Sequence, residues 1–410
     1  MHYQPSSVMN VLHELTSKTS LQFDLALAAV SISDTVLAKH VLNMEHEIDE
    51  IINQLFIHTM LSARKPKDAT DNLLFIHVGN LVNFISDVSS NVAEIVLEGI
   101  NPFKDRNNLF LYMHEFIDKA QVNENSILIG KTEEDIQIQQ LIGIDIMAIK
   151  RQEEILLGSQ HTIEKEDVLY LRGPSANVAI FSELVRGHII DFNIAKNMLK
   201  HSVMLESPIQ LRSYEQKLLK IINITSLMID LGFLVQMNKP LGMRETLKEY
   251  EIQIDELLKA VQRDILKSYQ KAEITENEAL GLMKLSSEFE MCSDAILTMG
   301  LGTRLEKSYM QNVIKEALST AEDDINFIIV DQKSPYLDKT VHEVEISGEV
   351  FDIELIKRKN KIIPYPPENT KIELGDMLVI KSYHNSEGLE EDEEDNKKII
   401  SKQGLPQPLN

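Results

Sequence analysis

Residues 162–169, TIEKEDVL, return much later in the chain as residues 370–378, TKIELGDML. Five further segments repeat in the same order, all at offsets of 206 to 208 positions. An offset this constant across six segments predicts a tandem duplication of one long unit. The other repeated pairs are 19–25 with 225–231, 45–50 with 251–256, 85–87 with 292–294, 131–132 with 339–340 and 148–151 with 355–358.

Each unit begins with helical sequence. In residues 41–55 of the first unit, apolar residues recur every three or four positions, which places them on one face of an α-helix. Breaks at 31–34 and 65–67 separate three helices, and a glycine followed by a proline ends the third, which is predicted over 69–99. Three long helices with short connections favour an antiparallel bundle.

The residue pattern of the sequence changes after the helices. The runs NSILIGKT (125–132), IDIMAIKR (144–151), EEILLG (153–158) and DVLYLRG (167–173) are short, rich in β-forming residues and separated by polar turns. The stretch between the first two runs is predicted to form a short helix. Together they predict a small α+β domain.

The predicted fold class is therefore α+β and multidomain, with two helical bundles alternating with two small α+β domains. The predicted divisions are bundles at 7–105 and 210–320, α+β domains at 120–174 and 322–384, a helical connector at 177–206 and a disordered acidic tail at 385–410.

Composition excludes several classes of function. The chain has 64 acidic and 41 basic residues and a net charge of −23, so its surface repels nucleic acid and anionic lipid. The single cysteine, Cys292, excludes an internal disulfide framework and a cysteine zinc site. The first fifteen residues lack a signal-peptide pattern, and no apolar run approaches the roughly 20 residues of a membrane span. We expect a cytoplasmic protein that reaches a membrane through a partner.

The helical parts resemble the PhoU family, whose bundle helices carry Glu/Asp-x-x-x-Asp motifs. The matching segments here are Ser20–Asp24, Glu45–Asp49 and Asn83–Asp87 in the first copy, and Ser226–Asp230, Glu251–Asp255 and Glu290–Asp294 in the second.

The α+β parts resemble the TrkA-C domain, the C-terminal domain of regulators of potassium conductance. The shared pattern is a G-K-T turn, a helix, a strand ending in a basic pair and then T-x-I-x-x-G-D-x-L. The first copy keeps Gly130-Lys131-Thr132, whereas the second has Asp338-Lys339-Thr340 but keeps Gly375-Asp376. The alternating order resembles an archaeal-type family that carries both domains. No G-x-G-x-x-G follows a strand, so a dinucleotide site is not implied.

The PhoU resemblance implies candidate metal ligands. Carboxylates four residues apart share a helix face, and oxygen ligands suit divalent cations such as Mg²⁺ or Mn²⁺. The alternative is that these acids form a solvated face or pair with lysines. The candidates are Asp24, Glu45, Asp49, Asp87, Asp230, Glu251, Asp255, Glu290 and Asp294.

Two repeated basic pairs are candidates for ligand binding. Lys150-Arg151 and Lys357-Arg358 end matching strands, and a cationic pair repeated in an acidic protein indicates an anion site. In the TrkA-C family, paired domains can bind a small ligand, which is cyclic di-AMP in some bacterial members. The alternative is a surface turn that favours solubility.

These features predict a cytoplasmic, ligand-sensing regulatory subunit for a membrane channel or transporter of potassium or divalent cations. No catalytic motif is present, so we do not expect an enzyme. The alternatives are a PhoU-type regulator of phosphate transport and a metal-binding protein that uses helix carboxylates. A divalent metal and a cyclic dinucleotide are the candidate cofactors, a small anionic ligand is expected, and a homodimer is a candidate assembly.

Overall fold

In a computed structural model, the chain divides into two compact units between Leu318 and Ser319. The first unit contains both helical bundles and one sheet, and the second contains the other sheet. The structure describes residues 8–103, 116–136, 144–158, 160–173, 175–189, 191, 194, 211–238, 243–302, 323–345, 351–359 and 361–383.

Bundle 1 consists of α1 (Val8–Ile32), α2 (Thr35–Ser62) and α3 (Pro66–Leu97), which pack against one another. Asp34 caps α2, because its carboxylate accepts hydrogen bonds from the backbone N–H groups of Val36 and Leu37. α3 begins at Pro66, before the predicted start at 69, because the first turn of a helix tolerates a residue without an N–H. Leu37 and Ile48 are fully buried, and each such side chain contributes about 1.5–3 kcal/mol.

Module 1 is a four-stranded antiparallel sheet in the order β1-β4-β2-β3. A short helix, α4, lies between β1 and β2 in the chain, and a longer helix, α5, follows β4 and packs against β1 and β4. The elements are β1 (Phe116–Gln121), α4 (Glu133–Ile136), β2 (Asp145–Arg151), β3 (Glu154–Leu156), β4 (Val168–Gly173) and α5 (Ser175–Val185).

Module 1 differs from its predicted form in two respects. The sequence assigned α5 to a connector, but Phe181 and Leu184 are fully buried, so this helix completes the core of the module; residues 195–206 of the predicted connector lie outside the described residues. The run NSILIGKT forms turns instead of a strand. Gly130 there has a φ of 82° and donates its N–H to the carbonyl of Ile163, a left-handed conformation that glycine adopts without strain and that interrupts a strand.

Bundle 2 consists of α6 (Ser213–Asn238), α7 (Met243–Gln270) and α8 (Glu276–Gly302). α8 runs antiparallel to α3 of bundle 1: Glu288 accepts a hydrogen bond from Asn91 at 3.0 Å, and Lys284 pairs with Glu98 at 3.1 Å. The two bundles therefore share one helical core.

The α6 helix is long and apolar enough to cross a membrane by length and composition, over Ser213–Val235. No such run is evident in the sequence, because charged residues near the start of α6 interrupt its apolar pattern. Its most apolar window is 78% buried within the protein, and Leu218, Ile222 and Leu227 are fully enclosed. This burial identifies α6 as a core helix of the paired bundles.

Module 2 repeats the sheet of module 1 in the strand order β5-β8-β6-β7. Its register shift between Ile353 and Leu355 corresponds to the shift between Ile146 and Ala148 in module 1. The predicted acidic tail lies outside the described residues. The elements of module 2 are β5 (Asp323–Ile329), α9 (Val341–Glu345), β6 (Phe351–Arg358), β7 (Lys361–Pro364) and β8 (Met377–Tyr383).

Candidate functional site

The predicted anion-binding arginine of module 1 is already engaged within the protein. Arg151, the last residue of β2, donates from Nε and Nη2 to the carboxylate of Asp167 at 3.0 and 2.8 Å. Its Nη2 also donates to the carbonyl of Thr162 at 2.7 Å, and Glu164 lies within 2.7 Å of Nη1. The hydrogen bonds to Asp167 raise the pKa of Arg151. We call this arrangement the clamp of module 1.

Module 2 contains the same clamp. Arg358 donates from Nε and Nη2 to Asp376 at 2.9 and 2.8 Å, and from Nη2 to the carbonyl of Lys371 at 2.6 Å. Each clamp carboxylate is 1% exposed and also accepts a backbone N–H, from Glu164 in module 1 and from Glu373 in module 2. Both arginines thus tie a strand end to the following turn, and an anion there would have to displace a buried carboxylate.

The other predicted cation, Lys150, joins module 1 to bundle 1. Its Nζ lies 3.5 Å from Oδ1 of Asp34, the capping residue of α2. Lys119 of β1 lies 3.4 Å from Oδ2 of the same carboxylate, and the hydroxyl of Tyr170 donates to Oδ2 at 2.8 Å. Asp34 is 7% exposed, so one buried carboxylate holds the start of α2 against β1, β2 and β4. Lys357 occupies the matching position at the end of β6 and is partly buried.

The surroundings of Asp34 keep it charged. Burial alone would raise its pKa, but the hydrogen bonds from Tyr170 and the backbone of Leu37, together with Lys119 and Lys150, outweigh burial and hold the pKa below its usual value. Burial and the neighbouring Asp34 raise the pKa of Tyr170. The contact between bundle 1 and module 1 at Asp34 therefore contains an ionised carboxylate and a neutral phenol over the physiological pH range.

A second charged bridge lies on the same face of the sheet. Arg172 of β4 donates from Nη1 to Asp24 on α1 and from Nη2 to Asp145 on β2, the latter at 2.8 Å. Arg172 is 7% exposed. Asp24, predicted as a metal ligand, thus pairs with an arginine of module 1. We call Asp34, Arg172 and their partners the junction.

The other predicted metal ligands form two groups of neighbouring carboxylates. Burial, Glu45 and Asp49 raise the pKa of Asp87 between α2 and α3, so these three acids are close enough to repel one another. Within the described part of the chain, no group of three or more His, Cys, Asp or Glu side chains is arranged to hold a metal ion.

The second group lies between α7 and α8. Burial raises the pKa of Glu290, and the nearby carboxylates of Asp294, Asp255 and Glu251 raise it further. Lys259 pairs with Asp255 at 3.2 Å. Asp230 is partly buried on α6. The two groups repeat as the sequence predicted, whereas metal binding stays a prediction.

A small depression of about 10 Å³, with room for about one water molecule, lies beside β2 and β3 of module 1. It lies on the face of the sheet opposite the junction, because Ile149 pairs with Leu169 whereas the neighbouring Lys150 faces Asp34. Small-molecule sites share this kind of lining, with apolar walls and a few polar groups, but they are far larger, at about 300–1,000 Å³. Its lining includes Ile146, Ile149, Leu156, Ile163, Glu133 and His161.

Sequence reasoning missed the junction. Asp34 follows a helix break and precedes Thr35, a pattern that indicates a cap, but no local pattern shows that Tyr170 lies beside it, 136 positions away. The clamp acids could have been found, because Asp167 and Asp376 repeat together with Arg151 and Arg358.

Comparison with known families bears on module 1. The family model of the TrkA-C domain matches residues 120–186, which reach past the predicted end of the module and include α5. Residues 120–186 match the TrkA-C domain. The match covers one part of the chain, and the resemblance of the bundles to the PhoU family stays a prediction.

Among solved structures, the chain is similar to the GsuK channel, at 14% identity over 71% of this chain and 53% of that one, with a TM-score of 0.18. A structure of the GsuK RCK domain matches at 12% identity over 71% and 63%, with a TM-score of 0.17. The GsuK channel bound to NAD matches at 10% identity over 78% and 65%, with a TM-score of 0.16. The chain thus spans between half and two thirds of each structure, and TM-scores this low carry no argument about function. No curated protein matches the chain.

Proposed function

We propose that this protein is a ligand-sensing regulatory subunit for a membrane channel or transporter of potassium or divalent cations, acting from the cytoplasmic side. The observation that carries the proposal is the TrkA-C match over residues 120–186, together with a second module of the same strand order, register shift and clamp. TrkA-C domains are regulatory parts of potassium transport systems, and a doubled copy provides two sensing modules in one chain.

The geometry of module 1 suits a sensor. A small ligand would have to widen the depression on one face, where it would meet apolar walls and the polar groups of His161 and Glu133. The opposite face is attached to bundle 1 through the junction. Because Arg151 and Arg358 are held by buried carboxylates of their own modules, the depression is a better candidate for the ligand site than either arginine.

Regulation of this kind requires a ligand to prefer one of two states, and typical coupling free energies are about 1–3 kcal/mol. Module 1 would bind the ligand, and the bundles would present the changed surface to the transport protein. The net charge of −23 suits a partner with a cationic cytoplasmic surface.

The test combines a binding screen with a flux measurement. Thermal shift against cyclic dinucleotides, nucleotides and divalent ions should reveal a ligand, since about 100 times the dissociation constant adds about 2.7 kcal/mol of stability. Cells that lack the protein should show altered rubidium or divalent-cation uptake, restored by the wild-type chain. Unchanged cation uptake together with altered phosphate uptake would favour the PhoU-type alternative.

A further inference from the structure

We propose that strand β2 transmits the state of the depression to bundle 1, with Lys150 and its contact to Asp34 as the coupling point. The inference deepens the proposed function and takes its biological meaning from it. Its physical content concerns this chain alone, so it can be tested without a ligand or a transport partner.

Strand β2 carries both features on its two faces. Ile146 and Ile149 line the depression. Asp145 and Lys150 project from the other face, where Asp145 holds Arg172 at 2.8 Å and Lys150 lies 3.5 Å from Asp34. Successive residues of a strand point to opposite faces, and the register shift between Ile146 and Ala148 places Ile146 and Ile149 on the same face. Any displacement of the β2 backbone therefore moves both sets of side chains together.

The register of β2 supports this role. The strand has a register shift between Ile146 and Ala148, which is a site where a strand bends. On the C-terminal side of the shift, Ile149 pairs with Leu156 of β3, so two residues that line the depression are adjacent across the hairpin. A ligand that separates or tightens this hairpin acts directly on the segment that carries Lys150.

On bundle 1, the carboxylate of Asp34 is placed so that a small displacement of Lys150 changes its hydrogen bonds. Asp34 is buried and serves two tasks at once: it accepts the backbone N–H groups of Val36 and Leu37 at 3.0 and 3.2 Å, and it contacts module 1. If Lys150 moves, the carboxylate has to be shared differently between the first turn of α2 and the sheet. A change in module 1 should therefore alter the backbone hydrogen bonds in the first turn of α2.

The test uses a side chain in place of a ligand. Leu156→Trp adds volume to the depression, and hydrogen exchange measured by NMR reports on the amides of Val36 and Leu37. We expect their exchange rates to change at least threefold in Leu156→Trp, and to change by less than half of that when Lys150→Met is also present. The matched control is Ile363→Trp, which alters the same hairpin position of module 2 and should leave both rates unchanged.

Two results would overturn the coupling. One is a folded Leu156→Trp protein in which the two amides exchange at the wild-type rate. The other is an equal change with and without Lys150→Met, which would show that the effect takes another route. If Leu156→Trp does not fold, Leu156→Ala perturbs the depression in the opposite sense and is judged by the same criteria. A cation-flux defect does not enter this test, so the proposed function and the coupling can fail independently.

Discussion

Modules 1 and 2 share their strand order and clamp but differ on the face that carries the junction in module 1. The cross-strand pair Lys119–Tyr170 of module 1 is replaced at the same register by Phe327–Val379 in module 2. The pair Asp145–Arg172 becomes Asp352–Lys381. Aromatic and aliphatic side chains thus stand where module 1 has an amine and a phenol.

The difference distinguishes contacts made within a module from contacts made with a neighbouring element. The clamp is internal to each module, since Arg151 and Asp167 both lie within the sheet and its turns, and so it survives duplication unchanged. The junction residues depend on a neighbouring element, because Tyr170 and Lys119 are useful only where a carboxylate such as Asp34 faces them. Module 2 accordingly carries different residues at the positions of Lys119 and Tyr170.

The largest expected effect comes from removing a clamp carboxylate. Asp167→Ala and Asp376→Ala should each destabilise their module by about 3 kcal/mol, because each removes two charge-assisted hydrogen bonds from a guanidinium and the acceptor of the backbone N–H of Glu164 or Glu373. Hydrogen exchange of the β4 and β8 amides at increasing urea concentrations measures each module separately. Glu164→Gln is the control, since its side chain is 60% exposed and its loss should cost under about 0.5 kcal/mol. If only one of the two substitutions destabilises its module, the clamps are not equivalent.

A smaller effect is expected at the second charged bridge. Arg172→Met leaves Asp24 and Asp145 without this guanidinium, and should destabilise the docking of module 1 on bundle 1 by about 2 kcal/mol. The matched variant in module 2, Lys381→Met, should cost about 1 kcal/mol less, because an ammonium offers fewer oriented donors than a guanidinium. Urea denaturation of both variants gives the comparison, and equal losses would remove the distinction drawn here between the two faces.

Two buried tyrosines allow the contribution of a hydrogen-bonded hydroxyl to stability to be compared with that of a hydroxyl without a partner among the described residues. Tyr170→Phe removes the hydrogen bond to Asp34 and should cost about 1–2 kcal/mol. The hydroxyl of Tyr250 is buried without a hydrogen-bond partner in the described part of the chain, so Tyr250→Phe should be neutral or slightly stabilising. The thermal midpoints of the two variants check this.

The pH dependence of the tyrosine effect follows from the pKa of Asp34. This pKa is lowered below 3.8 in the folded protein, so the stability that the junction provides is present above pH 3.8 and is lost as the pH falls through the lower, folded value. The cost of Tyr170→Phe should therefore be the same at pH 5 and pH 7. A cost that already disappears at pH 5 would contradict an ionised Asp34.

The smallest effect concerns the acidic groups of the bundles. Glu290→Gln should stabilise bundle 2 by about 0.5 kcal/mol at pH 7, since it removes repulsion between like charges on neighbouring helix positions. The pKa of Glu290 is raised in the folded protein, so the repulsion is present above that pKa and is relieved as the pH falls through it. The advantage of the variant should shrink on acidification, as measured by thermal midpoints.

Asp87→Asn makes the same comparison in bundle 1. A destabilising effect of either substitution, abolished by a chelator, would instead support the predicted metal ligands.

Much of the fold followed from local patterns. Apolar spacing located the helices of bundle 1, and the β-rich runs located β2 and β4. The run at 125–132 failed as a strand because its apolar residues belong to turns, where the burial of Leu128 follows from tertiary contact instead of strand alternation. α5 was placed in a connector because no local pattern shows that this helix packs against β1 and β4 and buries Phe181 and Leu184.

The candidate site was only half visible in the sequence. Repetition marked Lys150, Arg151 and their counterparts as important, but charge alone could not distinguish an anion site from a structural pair. The partners Asp167 and Asp34 decided that question, and Asp34 lies 116 positions from Lys150.

By itself, the sequence determined that this protein is a doubled unit with helices followed by a small sheet, because periodicity and repetition are properties of neighbouring residues along the chain. Only the tertiary structure decided that Arg151 closes a clamp, that Asp24 and Asp34 hold module 1 to bundle 1, and that a depression lies behind the same strand. Such contacts depend on where distant segments meet, and the energy of a buried charge depends on the partners it finds there.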